Sequence, residues 1–594
     1  MTTHRFSVPD LSRRLLAPIA ALLGLVAGLT VLILPSPAPT TASPTEFSAE
    51  RAMASINRLA DEPHSVLRRE AHDRARDDVI GMFSDLGYTA EVHSDPMFDF
   101  SKPEDKELFE SFTTEQQATL KDATADTIVV DVPGKSERTM ALMAHYDSAT
   151  VEADENGHQH ITDGTSPGAS DDGYGVAAIV ETLRALKAEG RQPENSLKIV
   201  ITDAEEIGLI GARNEMRHHR ADYENVDLVL NLEARGTSGP AFMFETSPNN
   251  SAVAGYFLSH VKQPVSSSLL PSLYARMPNG TDMNVLIPKG FTVLNIAAIG
   301  EAEHYHHATD APRYVDHSTL QHYGDQVLGL TRAWAFDGQA PTLTADGDLH
   351  FFQLWRGLTV RYPAAVGTGL GCLAVIAALG AVAMRARSLR WKRVLGTVWG
   401  LTWRSALASA AAGLVQLGAM AMKWAPESGL GPNPLLPWMF AGGSLIGVGL
   451  TVRFVVRRWK EGLGQEAVAA VLLLLAAACI PLMVLLPGAA YVLVLPTLAL
   501  ALTALAPQRV RPVVGALAAF VIMVIFAPTI LLIHELLSLG AVWATVFFAI
   551  VPVAPLALVL LQAGSRRTQR TTARTSSRPD AALDGAAGPA TATA

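Results

Sequence analysis

Cysteine is almost absent: the 594-residue chain has two, Cys372 and Cys479, and both fall inside apolar segments. A disulfide framework is thereby excluded for the polar part of the chain. So is a thiolate metal site, which leaves nitrogen and oxygen donors. Charged residues make up only 17%, and no stripe of Lys and Arg interleaved with aromatic side chains occurs, so nucleic acid is not an expected partner. The formal net charge of −9 is unevenly spread, with acids crowded into the polar region and arginines flanking the apolar runs. The chain is too long for one core, and a mean hydropathy of +0.23 is high for a protein wholly in water.

Apolar sequence is concentrated in one stretch at 15–34 and in a nearly continuous block at 364–561. About 20 apolar residues cross a bilayer as a helix. The pattern predicts eight spans, at 15–34, 364–384, 398–422, 435–455, 467–487, 489–506, 513–535 and 540–562. Arg13 and Arg14 precede the first, Arg385 to Arg393 follow the second, and Arg453 to Lys460 follow the fourth. Arg509 and Arg511 follow the sixth, and Arg566 to Arg570 the eighth. With eight spans every basic cluster lies on one side, which predicts a cell-membrane protein with both termini cytoplasmic and an outward-facing polar domain. The expected division is a cytoplasmic N-terminus at 1–14, a first transmembrane helix at 15–34 and a polar domain at 45–362. A membrane domain of about seven helices at 364–562 and a disordered cytoplasmic tail at 563–594 complete it. Segment 15–34 is long for a signal-peptide core and reads as an uncleaved anchor, with cleavage near Ala42 the alternative. His534-Glu535 and Arg404 lie near span ends and read as headgroup-level residues rather than an ion path.

Within 45–362 helical spacing appears at 47–59, 70–86, 175–188, 208–217 and 318–336. Strand-length runs appear at 89–93, 127–132, 139–144, 197–202, 226–232 and 292–298. This alternation predicts an α/β fold with a mostly parallel sheet sandwiched by helices. Segments 101–124 and 148–168 lack periodicity and read as surface insertions, the second a rim or lid. Five short polar segments end or follow strands: Met143-Ala144-His145-Tyr146-Asp147, Gly168-Ala169-Ser170-Asp171-Asp172-Gly173, Asp203-Ala204-Glu205-Glu206, Asn231-Leu232-Glu233 and Tyr305-His306-His307-Ala308-Thr309-Asp310. Each brings its side chains to the carboxyl edge of the sheet, where open α/β sheets bind ligands. Two imidazoles, one shareable carboxylate and two further carboxylates suit a pair of Zn2+ ions, with one Glu left for proton transfer. Asp147, two residues after His145, is a natural acceptor for the second imidazole nitrogen. Asp171 and Asp172 compete for the shared-carboxylate role, a helix N-cap being the other use of Asp here. His304, His306 and His307 leave the second imidazole open.

In order and spacing these segments resemble the di-zinc exopeptidase family that includes aminopeptidases, glutamate carboxypeptidase and glutaminyl cyclase. The spans behind them are similar in layout to its multi-pass branch, with the endoplasmic-reticulum metallopeptidase and the vacuolar membrane protease. The resemblance covers about residues 50–336. It implies two Zn2+ per chain, held by His145, Asp171, Glu206, Glu233 and His306, with Asp171 bridging. It further implies Glu205 as general base, Tyr305 as a donor to the developing oxyanion, and Asp147 and Asp310 as residues supporting the ligands. The Tyr-His-x-x-x-Asp run singles out His306. Many soluble members have Asp where this chain has Glu233, which remains an oxygen ligand of longer reach. Asp282 lies in a run similar to the family's pocket segment, and His158 and His160 read as surface residues. The expected activity is that of a membrane-anchored aminopeptidase with peptide substrates and the bilayer as partner; no oligomeric state is implied. Alternatives are hydrolysis of another amide, aminoacyl cyclisation on the same fold, or a transporter or scaffold carrying a relic peptidase domain.

Overall fold

The computed structural model describes residues 8–153, 159–277, 280–338, 340–421, 436–537 and 542–565. The expected tail beyond 565 and His158 lie outside the described residues, as does the side chain of His160.

Among the described residues eleven strands form: β1 (Glu91–Pro96), β2 (Thr124–Val132), β3 (Ser136–His145), β4 (Val151–Ala153), β5 (Gln159–Ile161), β6 (Asn195–Thr202), β7 (Val226–Ala234), β8 (Ser238–Thr246), β9 (Val293–Gly300), β10 (Leu349–Trp355) and β11 (Leu358–Pro363). Seven make one sheet in the order β1-β2-β6-β3-β7-β9-β8. The central strands β6, β3, β7 and β9 are parallel, whereas β1, β2 and β8 join antiparallel. The sheet is therefore mixed, and parallel only at its centre. Connections of three residues, between β2 and β3 and between β7 and β8, are too short for a crossover and can only reverse the chain. In each case a later strand, β6 or β9, is inserted between the two arms.

Alternation along β3 divides the core. Met140, Leu142 and Ala144 pack against helices Ala49–Leu59, Arg69–Asp85, Gly173–Ala188 and His317–Phe336. Ala141 and Met143 pack on the opposite face with Ala212 and Met216 of helix Ile210–His218. Both faces are covered, which is why the strand reads as a continuous apolar run. Segment 101–124, expected as an irregular insertion, holds helices Pro103–Ser111 and Thr114–Leu120. They are too short to display a period, and edge-on contacts of Phe109 and Phe112 with Phe98 anchor them.

Among the described residues, helices fall within all eight segments expected to span the membrane. Six candidate spans among these residues are long and apolar enough to do so: Leu15–Leu32, Ala364–Ala383, Trp438–Lys460, Gly464–Leu485, Arg511–His534 and Val542–Gly564. Tyr491–Leu505 has 15 residues, about 22 Å of helix against a hydrocarbon core of about 30 Å. Trp391–Ala421 has 31 residues but carries Arg393 and Arg404. The Arg404 guanidinium turns back to donate to the Gly400 carbonyl at 2.8 Å and lies 4.2 Å from the Phe454 ring centre. His534 stacks on Phe440 at 4.2 Å, while the Glu535 side chain lies outside the described residues.

The first helix packs along Arg511–Leu537. A Cβ on Gly24 would stand 2.5 Å from the Phe520 carbonyl oxygen, and one on Gly28 2.8 Å from that of Val524. Small residues four apart allow this approach of two backbones. The chain then crosses to the polar domain, where the Arg51 guanidinium donates to the carbonyls of Thr40, Ala42 and Glu46 at 3.0, 3.1 and 2.7 Å. At the other end β11 runs directly into Ala364–Ala383, and Phe352 of β10 stacks on Tyr491 at 4.6 Å. The polar domain is thus tied to the helical region at both ends.

Candidate metal centre

The four parallel strands stand side by side and end at the same edge. His145 closes β3, Glu205 and Glu206 follow β6, Glu233 lies at the end of β7, and Tyr305 and His306 follow β9. Neighbouring strands are about 4.8 Å apart, so these segments must converge. Among the described residues, four of the five non-glycine residues with left-handed φ lie in the loops that do so, Ala204, Leu209, Glu301 and His306. Such conformations are unfavourable for residues with a Cβ and concentrate at ligand clamps. Asp171 sits on the turn before helix Gly173–Ala188. Gly168 in that turn has φ +69°, and a Cβ there would stand 2.8 Å from the Asp171 carbonyl oxygen.

Asp171 divides its carboxylate between two imidazoles. Its Oδ1 is 3.3 Å from His145 Nε2 and its Oδ2 is 3.3 Å from His306 Nε2. His306 Nε2 is also 3.1 Å from Glu206 Oε2. Donor atoms of His145, Asp171 and Glu233 lie within 4.8 Å of one another, as do those of Asp171, Glu206 and His306, and those of His145, Glu205 and Glu206. Asp172 points elsewhere: it accepts from Gly175 N–H at 3.0 Å, capping the helix, and from His145 N–H at 3.3 Å. Asp147 ties two loops together. Its backbone oxygen lies 3.0 Å from His145 Nδ1, and its carboxylate accepts from the N–H groups of Glu205 and Glu206 at 3.1 and 3.2 Å. Asp310 accepts from Ser170 N–H and hydroxyl at 2.8 and 2.6 Å and from Asp171 N–H at 3.2 Å. It therefore positions the turn bearing Asp171. The Tyr305 ring stacks on His306 at 3.6 Å, whereas His304 stacks on Tyr314 at 4.7 Å.

The electrostatics are those of a site built around cations. Burial, reinforced by the other carboxylates, pushes Glu205 and Glu233 well above the usual range. Burial likewise raises Glu206 to about 7 against the pull of His306. Burial opposes protonation of His306, but Glu206 and Asp171 outweigh it and raise the ring to about 10. His145 is raised in the same way by Asp147 and Asp171. This is an excess of buried negative charge that only a positive partner relieves. His145 Nε2, Glu206 Oε1 and both His306 nitrogens are buried without an aligned hydrogen bond, although carboxylate oxygens stand as close as 3.1 Å. Co-ligands of one tetrahedral zinc, with bonds of about 2.0–2.1 Å, are held about 3.3 Å apart. The donor set, all nitrogen and oxygen, fits zinc.

A cavity of about 400 Å3 opens onto these residues. Its apolar wall was not legible beforehand. Phe242 and Phe244 of β8 and Ile299 of β9 face it, covered by Leu270 and Tyr274 of helix Leu269–Tyr274. Val31 and Leu532, from the ends of two membrane helices, pack into the same apolar cluster. The alternation of Phe242 and Phe244 was the available signal for β8. Val151 brings segment 148–168 to the rim, and Gly280 and Thr281 contribute to the lining. Asp282, expected to shape the pocket, lies behind them and accepts from the Thr202 hydroxyl at 2.6 Å. Arg235 also lines the cavity; its position two residues after Glu233, at the exit of β7, was the signal that could have found it.

Residues 127–331 match the model of Peptidase family M28, a range that contains all nine candidate residues. The chain is 28% identical over 219 residues to the vacuolar membrane protease of Lodderomyces elongisporus, covering 36% of this chain and 21% of that protein. It is 26% identical over 220 residues to the mouse endoplasmic reticulum metallopeptidase 1, covering 36% of this chain and 24% of that protein. It thus spans less than a quarter of the length of these curated relatives. Among solved structures, a zinc aminopeptidase from Bacillus subtilis aligns at 13% identity and a TM-score of 0.38, covering 51% of this chain and 98% of its own.

Proposed function

We propose that this multi-pass membrane chain, whose residues 127–331 form a domain of Peptidase family M28, is a zinc-dependent exopeptidase of the aminopeptidase type. His145, Asp171, Glu206, Glu233 and His306 would hold two zinc ions, with Asp171 shared. When bound, the ions polarise a carbonyl and acidify water. Glu205 faces the cavity and accepts the proton of the attacking water, then passes it to the leaving amine. Asp147 fixes the His145 ring and the Glu205-Glu206 backbone, Asp310 fixes the Asp171 turn, and Tyr305 donates to the developing oxyanion. The observation that carries this reading is the Asp171 carboxylate placed 3.3 Å from each imidazole. Purified full-length protein is expected to hold close to two zinc equivalents and to hydrolyse members of an aminoacyl-amide panel, reversibly lost on chelation. Zinc-replete protein that cleaves nothing in the panel refutes the activity, and a plateau at one zinc refutes the sharing.

The alternating basic clusters support eight spans, cytoplasmic termini and an outward-facing polar domain. Ser111 and Ser388 are exposed on opposite sides of that arrangement. With Cys372 replaced by Ala, Ser111→Cys is expected to react with a membrane-impermeant thiol reagent in intact cells, and Ser388→Cys only after lysis. Labelling of the second alone would invert the topology.

A further inference from the structure

Among the described residues, Arg235 extends a positive charge into the cavity with no counter-ion. It follows Glu233 by two residues, just past the last residue of β7, and both side chains line the cavity. It lines the cavity beside Tyr305, Phe242 and Phe244, with its guanidinium carbon 5.7 Å from the Tyr305 ring centre. Its backbone N–H donates to the Ala298 carbonyl at 2.7 Å. Among the described residues its guanidinium has no hydrogen-bond or ion-pair partner, and Nε is buried without an acceptor. Other partly buried guanidiniums in the domain are matched: Arg51 lies 2.8 Å from Glu181, Arg76 2.7 Å from Asp126 and Arg217 2.6 Å from Asp105.

A guanidinium stays charged at any relevant pH and presents a planar fork of donors that fits a carboxylate with two parallel bonds. Leaving that fork partly desolvated and empty is unfavourable, so its retention in a substrate cavity points to a partner that arrives from outside. The acids across the cavity are committed to the metal cluster. We infer that Arg235 receives a carboxylate of the substrate. The inference rests on the peptidase reading and narrows it: the preferred peptide bears a carboxylate near the scissile bond. That carboxylate is either the free chain end of the residue that supplies the leaving amine or an acidic side chain. An apolar group beside it meets Phe242, Phe244 and Leu270. A free chain end would make the substrate a dipeptide or a very short peptide.

Two matched pairs separate these sources in the zinc-loaded full-length protein. Leucyl-phenylalanine against its carboxamide varies the chain end. Leucyl-glutamic acid α-amide against leucyl-glutamine α-amide varies the side chain. The acid member of one pair is expected to have kcat/KM about 10²-fold above its amide, the worth of a desolvated charge-assisted pair. Arg235→Met should abolish that preference and Arg235→Lys reduce it about tenfold; should the Met variant not fold, the Lys variant decides. No acid preference in either pair, or a preference that survives both substitutions, overturns the inference while leaving the peptidase reading intact. If wild type cleaves none of the four, the peptidase reading fails by itself. Calorimetric binding of N-acetylphenylalanine against its amide then decides. An Arg235-dependent preference for the acid upholds the carboxylate site; equal or absent binding refutes it.

Discussion

Asp171→Ala is expected to lose more than one zinc equivalent and to reduce hydrolysis to background. The carboxylate stands between His145 and His306, one oxygen toward each, so its removal would take a donor from both of the proposed ions at once. His145→Ala or His306→Ala should mainly weaken one. Asp172→Ala is the control for folding of the same turn. Its carboxylate caps helix Gly173–Ala188, so its loss should cost about 1 kcal/mol of stability with zinc retained. Metal analysis of the four purified variants, with thermal unfolding beside it, checks the set. Full metal and activity in Asp171→Ala would transfer the shared role to its neighbour.

Glu205→Gln is expected to keep both zinc ions while turnover falls roughly 10²–10⁴-fold, the usual worth of a positioned general base. The amide preserves size and hydrogen-bonding reach but cannot take a proton, and added metal should not restore the rate. Glu206→Gln should behave differently because Glu206 Oε2 lies 3.1 Å from His306 Nε2, inside the donor cluster. Exchanging an anionic donor for a neutral one should lower zinc affinity, with partial recovery in excess zinc. Asp147 holds both backbone N–H groups, so neither substitution should displace the loop. The reverse pattern, Glu205→Gln metal-poor and rescued while Glu206→Gln stays loaded and inert, would exchange the two roles.

The polar ends of the central strands were readable because each side chain there closes a run buried on both faces, and a change from apolar to polar at such a point is hard to mistake. β3 and β6 are examples: the expected 139–144 and 197–202 lie within Ser136–His145 and Asn195–Thr202. Asp171 and Asp172 could not be told apart from the residues alone, since either can cap a helix. Only the geometry, with Asp172 on the Gly175 N–H and Asp171 facing the rings, separates them. β8 escaped notice because Ser238-Gly239-Pro240 at its start reads as a turn, and its partner β9 comes about fifty residues later. The short helix Leu269–Tyr274 shows no period of its own and is held by what it covers. The membrane segments were legible as apolar lengths. Tyr491–Leu505, however, is shorter as a helix than its apolar run, because the 3-10 turn Pro487–Ala489 takes up the start.

The apolar cluster shared by Phe244, Leu270 and Tyr274 with Val31 and Leu532 bears on any attempt to work with the polar domain alone. Excision at the membrane boundary would spare every proposed zinc donor and strip the backing from the apolar wall of the cavity. It would also expose Phe352, which rests on Tyr491. Such a fragment would be a metal-binding protein with an unsupported pocket, prone to self-association through the bared face. Selectivities measured on it would describe a different enzyme from the one seated in the bilayer.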